Sequence, residues 1–156
     1  MTPTLSGRIQ TRLAVVLIVG GVWTLLIGSF LPRPAGATTS DMYAALYTAL
    51  LVVAIVGVAW ELLYHGLQQF RWEKDWPTIF GLVVGIPEGI VAYLVLNAGL
   101  PWDQRALIDG SAQFPLPAFL IMFITTWVLV WAVVNGPMQV MFIRWRFRGG
   151  RFNDRW

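Results

Sequence analysis

The feature that most constrains this chain is a set of four uninterrupted apolar blocks, at about residues 13–31, 43–64, 78–100 and 117–143. Each is about as long as the roughly 20 residues that a helix needs to cross the hydrocarbon of a bilayer. None alternates as a membrane β-strand does. With 57% hydrophobic and 12% charged residues, a soluble core could not enclose so much apolar surface. The sequence therefore predicts an all-α, polytopic membrane protein, a bundle of four transmembrane helices forming one domain.

The basic residues predict how the bundle is oriented. Nine of the eleven Lys and Arg residues lie before the first block, between the second and third blocks, or after the fourth. The other two loops hold only Arg33 and Arg105. Because loops rich in Lys and Arg stay in the cytoplasm, we expect a plasma-membrane protein with both chain ends cytoplasmic. The net charge of +3 then reflects membrane insertion, and no nucleic-acid partner is predicted.

The first block leaves two interpretations open. It is followed by Ala35-Gly36-Ala37, a pattern of small residues typical of signal-peptide cleavage sites. Its apolar stretch, however, is longer than the roughly 7–15 residues of a signal-peptide core. A stripe of small residues also suits it to packing against a neighbouring helix, namely Gly20, Thr24 and Gly28. We therefore favour a retained transmembrane helix.

Glu88 is one of only two acidic residues inside the blocks, and no Lys or Arg within them is available as its partner. Counted from Trp76, taken as the inner interface, it lies about 18 Å deep, near the bilayer midplane. A carboxylate there costs about 2.5 kcal/mol or more unless it is protonated, hydrogen-bonded or beside water. Two roles stay open: coupling of a proton or ion, and the favoured role of a structural clasp to Asn135, a Thr or a Tyr.

The residues around Glu88 predict an unusual helix. Gly81, Gly85 and Gly89 recur every four residues, which allows a neighbouring helix to approach closely. Pro87 removes one backbone donor and predicts a kink beside the acid.

A second polar cluster is predicted in the cytoplasmic third of the bundle. Glu61 and His65 are spaced i, i+4, so they share one helix face, and Asn135 and Gln139 should reach a similar depth. These groups could share a proton or ion, although a Glu-His pair that only ends its helix is the favoured interpretation. Without cysteine or a ligand motif, the set falls short of a metal site, and no metal or cofactor is predicted.

The C-terminal tail combines arginines with aromatic residues. On a helical wheel its arginines share one face and its aromatic residues a neighbouring one, which predicts a helix lying on anionic lipid at the cytoplasmic surface. The predicted anchors are Arg144, Arg146, Arg148, Arg151, Arg155, Trp145 and Trp156. A single Arg-Gly-Gly sequence is weak evidence for the alternative, RNA binding.

The sequence offers much packing surface and little chemistry. It contains no phosphate-binding loop, no plausible Ser-His-Asp set and no HExxH motif, so an enzyme is disfavoured and no catalytic residue is assigned. The favoured hypothesis is an accessory or scaffolding subunit that associates in the membrane with itself or with a larger complex. The alternative is a small proton-coupled transporter or ion pathway that uses Glu88. A third possibility is a lipid-modifying enzyme acting through Glu61 and His65.

Overall fold

The computed structural model describes residues 4–70, 78–98 and 114–153, and it contains no strand in these ranges. Four helices in the described ranges are long and apolar enough to cross a membrane, which confirms the all-α class and agrees with the four predicted spans. We name them α1 (Leu5–Phe30), α2 (Thr39–Gln68), α3 (Phe80–Asn97) and α4 (Leu116–Met141). A short helix, α5 (Ile143–Phe147), follows.

Helix α1 starts well before its apolar block, at Leu5, because Thr4 caps it. The Thr4 side chain accepts a hydrogen bond from the Gly7 N–H at 3.1 Å, which satisfies one of the free amides of the first turn. The helix therefore includes Arg12, which the sequence pattern placed in the flank. A π-helical turn over Val16–Gly20 follows directly.

The core lies between α2, α3 and α4. Helix α2 is continuous over 30 residues and opens with a capping box formed by Thr38 and Asp41, so it provides one straight wall of the bundle. Small residues in the core bring the helices close together, and larger apolar side chains fill the space between them. The central residues of the core are Leu46, Ala49, Ala92, Leu96, Ala118, Phe119 and Met122.

Helices α3 and α4 are each interrupted near the same end of the bundle. Helix α3 breaks at Val84, between Phe80–Val83 and Gly85–Asn97, one turn before Pro87, whose ring nitrogen cannot continue the hydrogen-bond ladder. Helix α4 breaks at Gly136, directly before Pro137. Both breaks therefore follow from proline.

The tail folds back onto the start of α1. Gly149 and Gly150 have φ angles of 63° and 82°, in the left-handed region that favours glycine, and they reverse the chain after α5. The Thr4 N–H then donates to the Gly149 carbonyl at 2.9 Å. Both described chain ends thus lie at the same end of the bundle, which we call the terminal end. This placement of the chain ends agrees with an even number of membrane crossings. Which side of the membrane the ends face remains a prediction.

The structure corrects the predicted tail helix, which ends at Phe147. Trp145, a predicted lipid anchor, is buried, and its Nε1–H donates to Thr11 Oγ1 at 2.7 Å. The two glycines are the physical reason, because their turn directs the tail onto α1 instead of along the membrane surface. Arg144, Arg146 and Arg148 are exposed and Arg151 is half-buried, while Arg155 and Trp156 lie outside the described residues.

Candidate ion-pair site and cleft

Arg12 of α1 forms ion pairs with two glutamates inside the bundle. Its Nη1 lies 2.9 Å from Glu61 Oε1 of α2, and its Nη2 pairs with Glu88 Oε1 of α3. The side chains of Arg12 and Glu61 are 11% and 18% exposed, and that of Glu88 is 0% exposed. We call these three residues the charge cluster.

The members of the charge cluster lie at a common depth. Each is seven or eight residues from the terminal end of its helix, which corresponds to about 10–12 Å along the helix axis. Measured from Phe80, where α3 begins, Glu88 lies about 12 Å along the helix axis, and its depth below a membrane surface stays a prediction. Trp76, from which its depth was counted, lies outside the described residues.

Two glycines make room for the arginine and for the aromatic ring beside it. A Cβ atom at Gly57 would collide with Arg12 Nε, and one at Gly85 would collide with the Trp127 indole. The guanidinium carbon lies 5.1 Å from the centroid of the Trp127 ring, within the range of a cation–π contact. The guanidinium is thus held by two carboxylates and one aromatic face.

The charge cluster is not electrically balanced. Two carboxylates share one guanidinium, so the cluster carries one excess negative charge when all three groups are ionised. Glu88 Oε2 and Arg12 Nε are buried and have no hydrogen-bond partner among the described residues. A buried oxygen of this kind is costly unless a proton, a cation or water satisfies it.

A cleft of about 570 Å³ leads from the terminal end to the charge cluster. Arg12, Glu61 and Tyr64 are among the residues that line it, and all four long helices contribute to its walls. Arg8 and Arg146, nearer the chain ends, also line it. Its volume falls in the range of small-molecule binding sites, about 300–1,000 Å³.

Tryptophans of α4 join one wall of the cleft to α3. Trp127 Nε1–H donates to the Gly81 carbonyl, and Trp131 Nε1–H donates to the Thr78 carbonyl, both at 3.1 Å. The three glycines of α3 lie against successive aromatic side chains of α4: Gly81 against Trp131, Gly85 against Trp127, and Gly89 against Phe123. The glycine spacing predicted that a neighbouring helix approaches α3 closely, and the groups that do so are the aromatic rings of α4. Pro87 is exposed on another side of α3.

The stripe of small residues on α1 lies against other helices of the bundle. Gly20 faces Leu50 and Thr126, and Gly28 faces the Tyr43 ring. Thr24 is fully buried. All three positions are therefore at contacts between helices.

The structure corrects the partner predicted for Glu88 and adds a partner for Glu61. Asn135 does not clasp Glu88, since its Nδ2 donates to the Trp131 carbonyl at 2.8 Å. Glu61 forms an ion pair with Arg12 of α1, a partner that the sequence did not indicate, and a proton or ion shared with His65 stays a prediction. Asn135 and Gln139 do line the same cleft as Glu61, whereas His65 is absent from its described lining.

Sequence reasoning missed Arg12, although two signals pointed to it. Two acids without a base in the apolar blocks required a cation from elsewhere, because a lone buried charge is strongly unfavourable. Thr4 is also a good N-cap residue, which could have extended α1 through Arg12. Within residues 4–70, 78–98 and 114–153, no three His, Asp or Glu side chains are grouped closely enough to hold a metal ion.

No protein-family model, curated protein or solved structure matches this chain. Its function is therefore argued from the charge cluster and the cleft.

Proposed function

We propose that this protein is a small proton-coupled membrane carrier, in which the charge cluster takes up and releases the proton. The observation that carries the proposal is the excess carboxylate of the charge cluster, whose Arg12 and Glu61 line the cleft. Glu88 is fully buried and pairs through only one of its two oxygens. A proton on Glu88 Oε2 would bring the cluster to zero net charge, which is the favoured state in a low-dielectric interior.

The three residues have distinct roles in this proposal. Glu61 lines the cleft and so exchanges protons with its contents. Glu88 is the more buried acceptor, and one of its oxygens has no hydrogen-bond partner among the described residues. Arg12 bridges the two and keeps at least one carboxylate ionised, because a guanidinium stays charged.

Irregular turns beside the cleft give the bundle places to move. Helix α3 breaks at Val84, α4 breaks at Gly136, and α1 has a π-helical turn at Val16–Gly20. Such turns recur at functional sites and in the discontinuous helices of membrane carriers. Carriers also need helix segments that change position around a fixed site.

Infrared spectroscopy across a pH series tests the proton uptake. The wild type should show a buried carboxylic acid band that titrates, and Glu88→Gln should lose it. Asp41→Asn is the control, because Asp41 lies at the start of α2, at the opposite end of the bundle from the charge cluster. A wild type in which no buried carboxyl titrates would overturn the proposal.

Reconstituted vesicles test the carrier step. With a pH gradient imposed and a pH-sensitive dye inside, the wild type should dissipate the gradient faster than protein-free vesicles when its substrate is supplied. Glu88→Gln, checked for a single gel-filtration peak, should match the protein-free rate. Dissipation by Glu88→Gln at the wild-type rate would reject Glu88 as the coupling residue.

The roles of accessory subunit and lipid-modifying enzyme have less support. Within the apolar blocks, the sequence offered Glu88 no basic partner. Arg12 of the same chain is that partner, so the burial of Glu88 does not require a second subunit. The enzyme requires Glu61 and His65 to act together, and Glu61 pairs with Arg12. Association with other subunits stays a prediction, which crosslinking in native membranes tests.

A further inference from the structure

We infer that the cleft binds an anionic phospholipid, with its phosphate held by Arg8 and Arg146. The inference rests on the cleft of the proposed carrier and names its ligand. The experiment that tests it measures lipid binding, so this inference can fail or succeed independently of the proposed proton uptake.

The charges at the rim favour an anion. Both Arg8 and Arg146 line the cleft, and neither forms an ion pair within the part of the chain that the structure describes. Arg12, by contrast, has two carboxylate partners. The rim therefore carries two uncompensated positive charges, and guanidinium groups bind phosphate through paired hydrogen bonds.

The rim lies near the terminal end of the bundle, where the predicted topology places the headgroups of the cytoplasmic leaflet. Arg8 lies one turn nearer the terminal end than Arg12, about 6 Å along α1, and three residues after the helix begins at Leu5. Anionic headgroups are concentrated at this level of the cytoplasmic leaflet, where basic residues attract them.

Below the rim, the walls suit an acyl chain. The lining also includes apolar side chains, namely Val84, Val130, Val134 and the two indoles of Trp127 and Trp131. These side chains offer apolar surface, and burial of the CH₂ groups of an acyl chain against it is favourable. An amphiphile matches this gradient from charged rim to apolar wall better than a fully polar ligand does.

The tail fixes one of the two arginines at the rim. Trp145, next to Arg146, is buried and donates to Thr11 Oγ1, which in turn donates to the Gly150 carbonyl at 2.9 Å. Arg144, on the other side of Trp145, is exposed and is not part of the lining of the cleft. Arg144 and Arg146 are thus a matched pair, with the same charge and different positions.

Native mass spectrometry of the purified protein, titrated with phosphatidylglycerol, tests the inference. Phosphatidylcholine with the same acyl chains is the headgroup control. Arg8→Gln and Arg146→Gln should each weaken binding of the first phosphatidylglycerol about tenfold, since each removes a charged phosphate contact. Arg144→Gln should stay within about twofold of the wild type, because its charge does not line the cleft.

Three outcomes would overturn the inference. Equal losses in Arg144→Gln and Arg146→Gln would indicate general attraction to the basic surface. Equal binding of the two lipids would exclude a phosphate site for anionic headgroups. Displacement of the lipid by inorganic phosphate at matched concentration would assign the site to a soluble anion.

The same titration separates this inference from the proton proposal. Glu88→Gln should still bind phosphatidylglycerol while lacking the titrating carboxyl band. If the wild type bound the lipid but showed no such band, the carrier proposal would fail and the lipid site would stand.

Discussion

At the scale of single residues, Arg12 decides what the two buried glutamates can do. Without it they would be two like charges in a low-dielectric interior, at a cost of several kcal/mol. With it, one negative charge remains, which a single proton removes. The sequence identified Glu88 and Glu61 by their apolar surroundings. It missed Arg12 because hydropathy alone assigned this residue to the flank of the first block, and the N-cap at Thr4 extends the helix past that boundary.

The first prediction concerns Gly57, whose missing side chain makes room for Arg12. Gly57→Ala should displace the guanidinium and lower the thermal unfolding midpoint in detergent, because a Cβ there would collide with Arg12 Nε. A displaced arginine leaves buried carboxylates without their partner, a loss of about 3 kcal/mol or more. The titrating carboxyl band should also shift.

Gly66→Ala is the matched control on the same helix. Nothing lies within 4 Å of a Cβ at Gly66, so this change should be neutral or stabilising by up to about 1 kcal/mol through helix propensity. If Gly57→Ala behaved in the same way as Gly66→Ala, the tight fit around Arg12 would be wrong.

At the scale of elements, the tail is where sequence patterns and structure differ most. A wheel drawn through residues 142–156 assumes one continuous helix, and Gly149-Gly150 interrupts it with two left-handed residues. Propensity could indicate the interruption, but the place where the tail docks depends on contacts distant in sequence. Gln10 Oε1, for example, accepts from the N–H groups of Phe152 and Asn153. The four spans themselves were predictable, because span length follows directly from the thickness of hydrocarbon.

The second prediction concerns Gly7 of α1, because the tail at Gly149 and Gly150 leaves no room for a side chain there. Gly7→Ala should release the tail, because its Cβ would collide with the Gly149 carbonyl oxygen. Hydrogen exchange should then accelerate about tenfold or more at the backbone amides of Thr4, Phe152 and Asn153, whose bonds depend on docking.

Gly21→Ala, in the same helix, is the control for tail release, because nothing lies within 4 Å of its Cβ. It should leave exchange at these amides unchanged. Equal acceleration in both variants would mean that the helix as a whole is destabilised. Loss of phosphatidylglycerol binding in Gly7→Ala alone would further link docking of the tail to the position of Arg146.

At the scale of the whole molecule, the charge cluster ties the first helix to the rest of the bundle. A chain cut after Ala37 would keep Glu61 and Glu88 and lose Arg12, leaving two unpaired acids inside an apolar bundle. The loss of these ion pairs favours a retained α1 more strongly than the length of its apolar block does. Sequence patterns could not indicate it, because it depends on contacts between helices. Both described chain ends also meet at the terminal end, so one topology measurement places the mouth of the cleft as well.

That measurement uses single-cysteine variants, which the absence of cysteine from the chain makes simple to build. Ser40, at the start of α2, lies away from the terminal end, whereas Asn153 lies in the docked tail. Both positions are exposed, so Ser40→Cys and Asn153→Cys can be labelled. Because nine of the eleven Lys and Arg residues lie in the segments predicted to be cytoplasmic, a membrane-impermeant thiol reagent should label Ser40→Cys in intact cells. It should label Asn153→Cys only after permeabilisation. The cleft would then open to the cytoplasm, where the charge cluster draws its proton and the inner leaflet supplies the anionic lipid. The reverse labelling pattern would contradict the predicted orientation and move both ligands to the outer face.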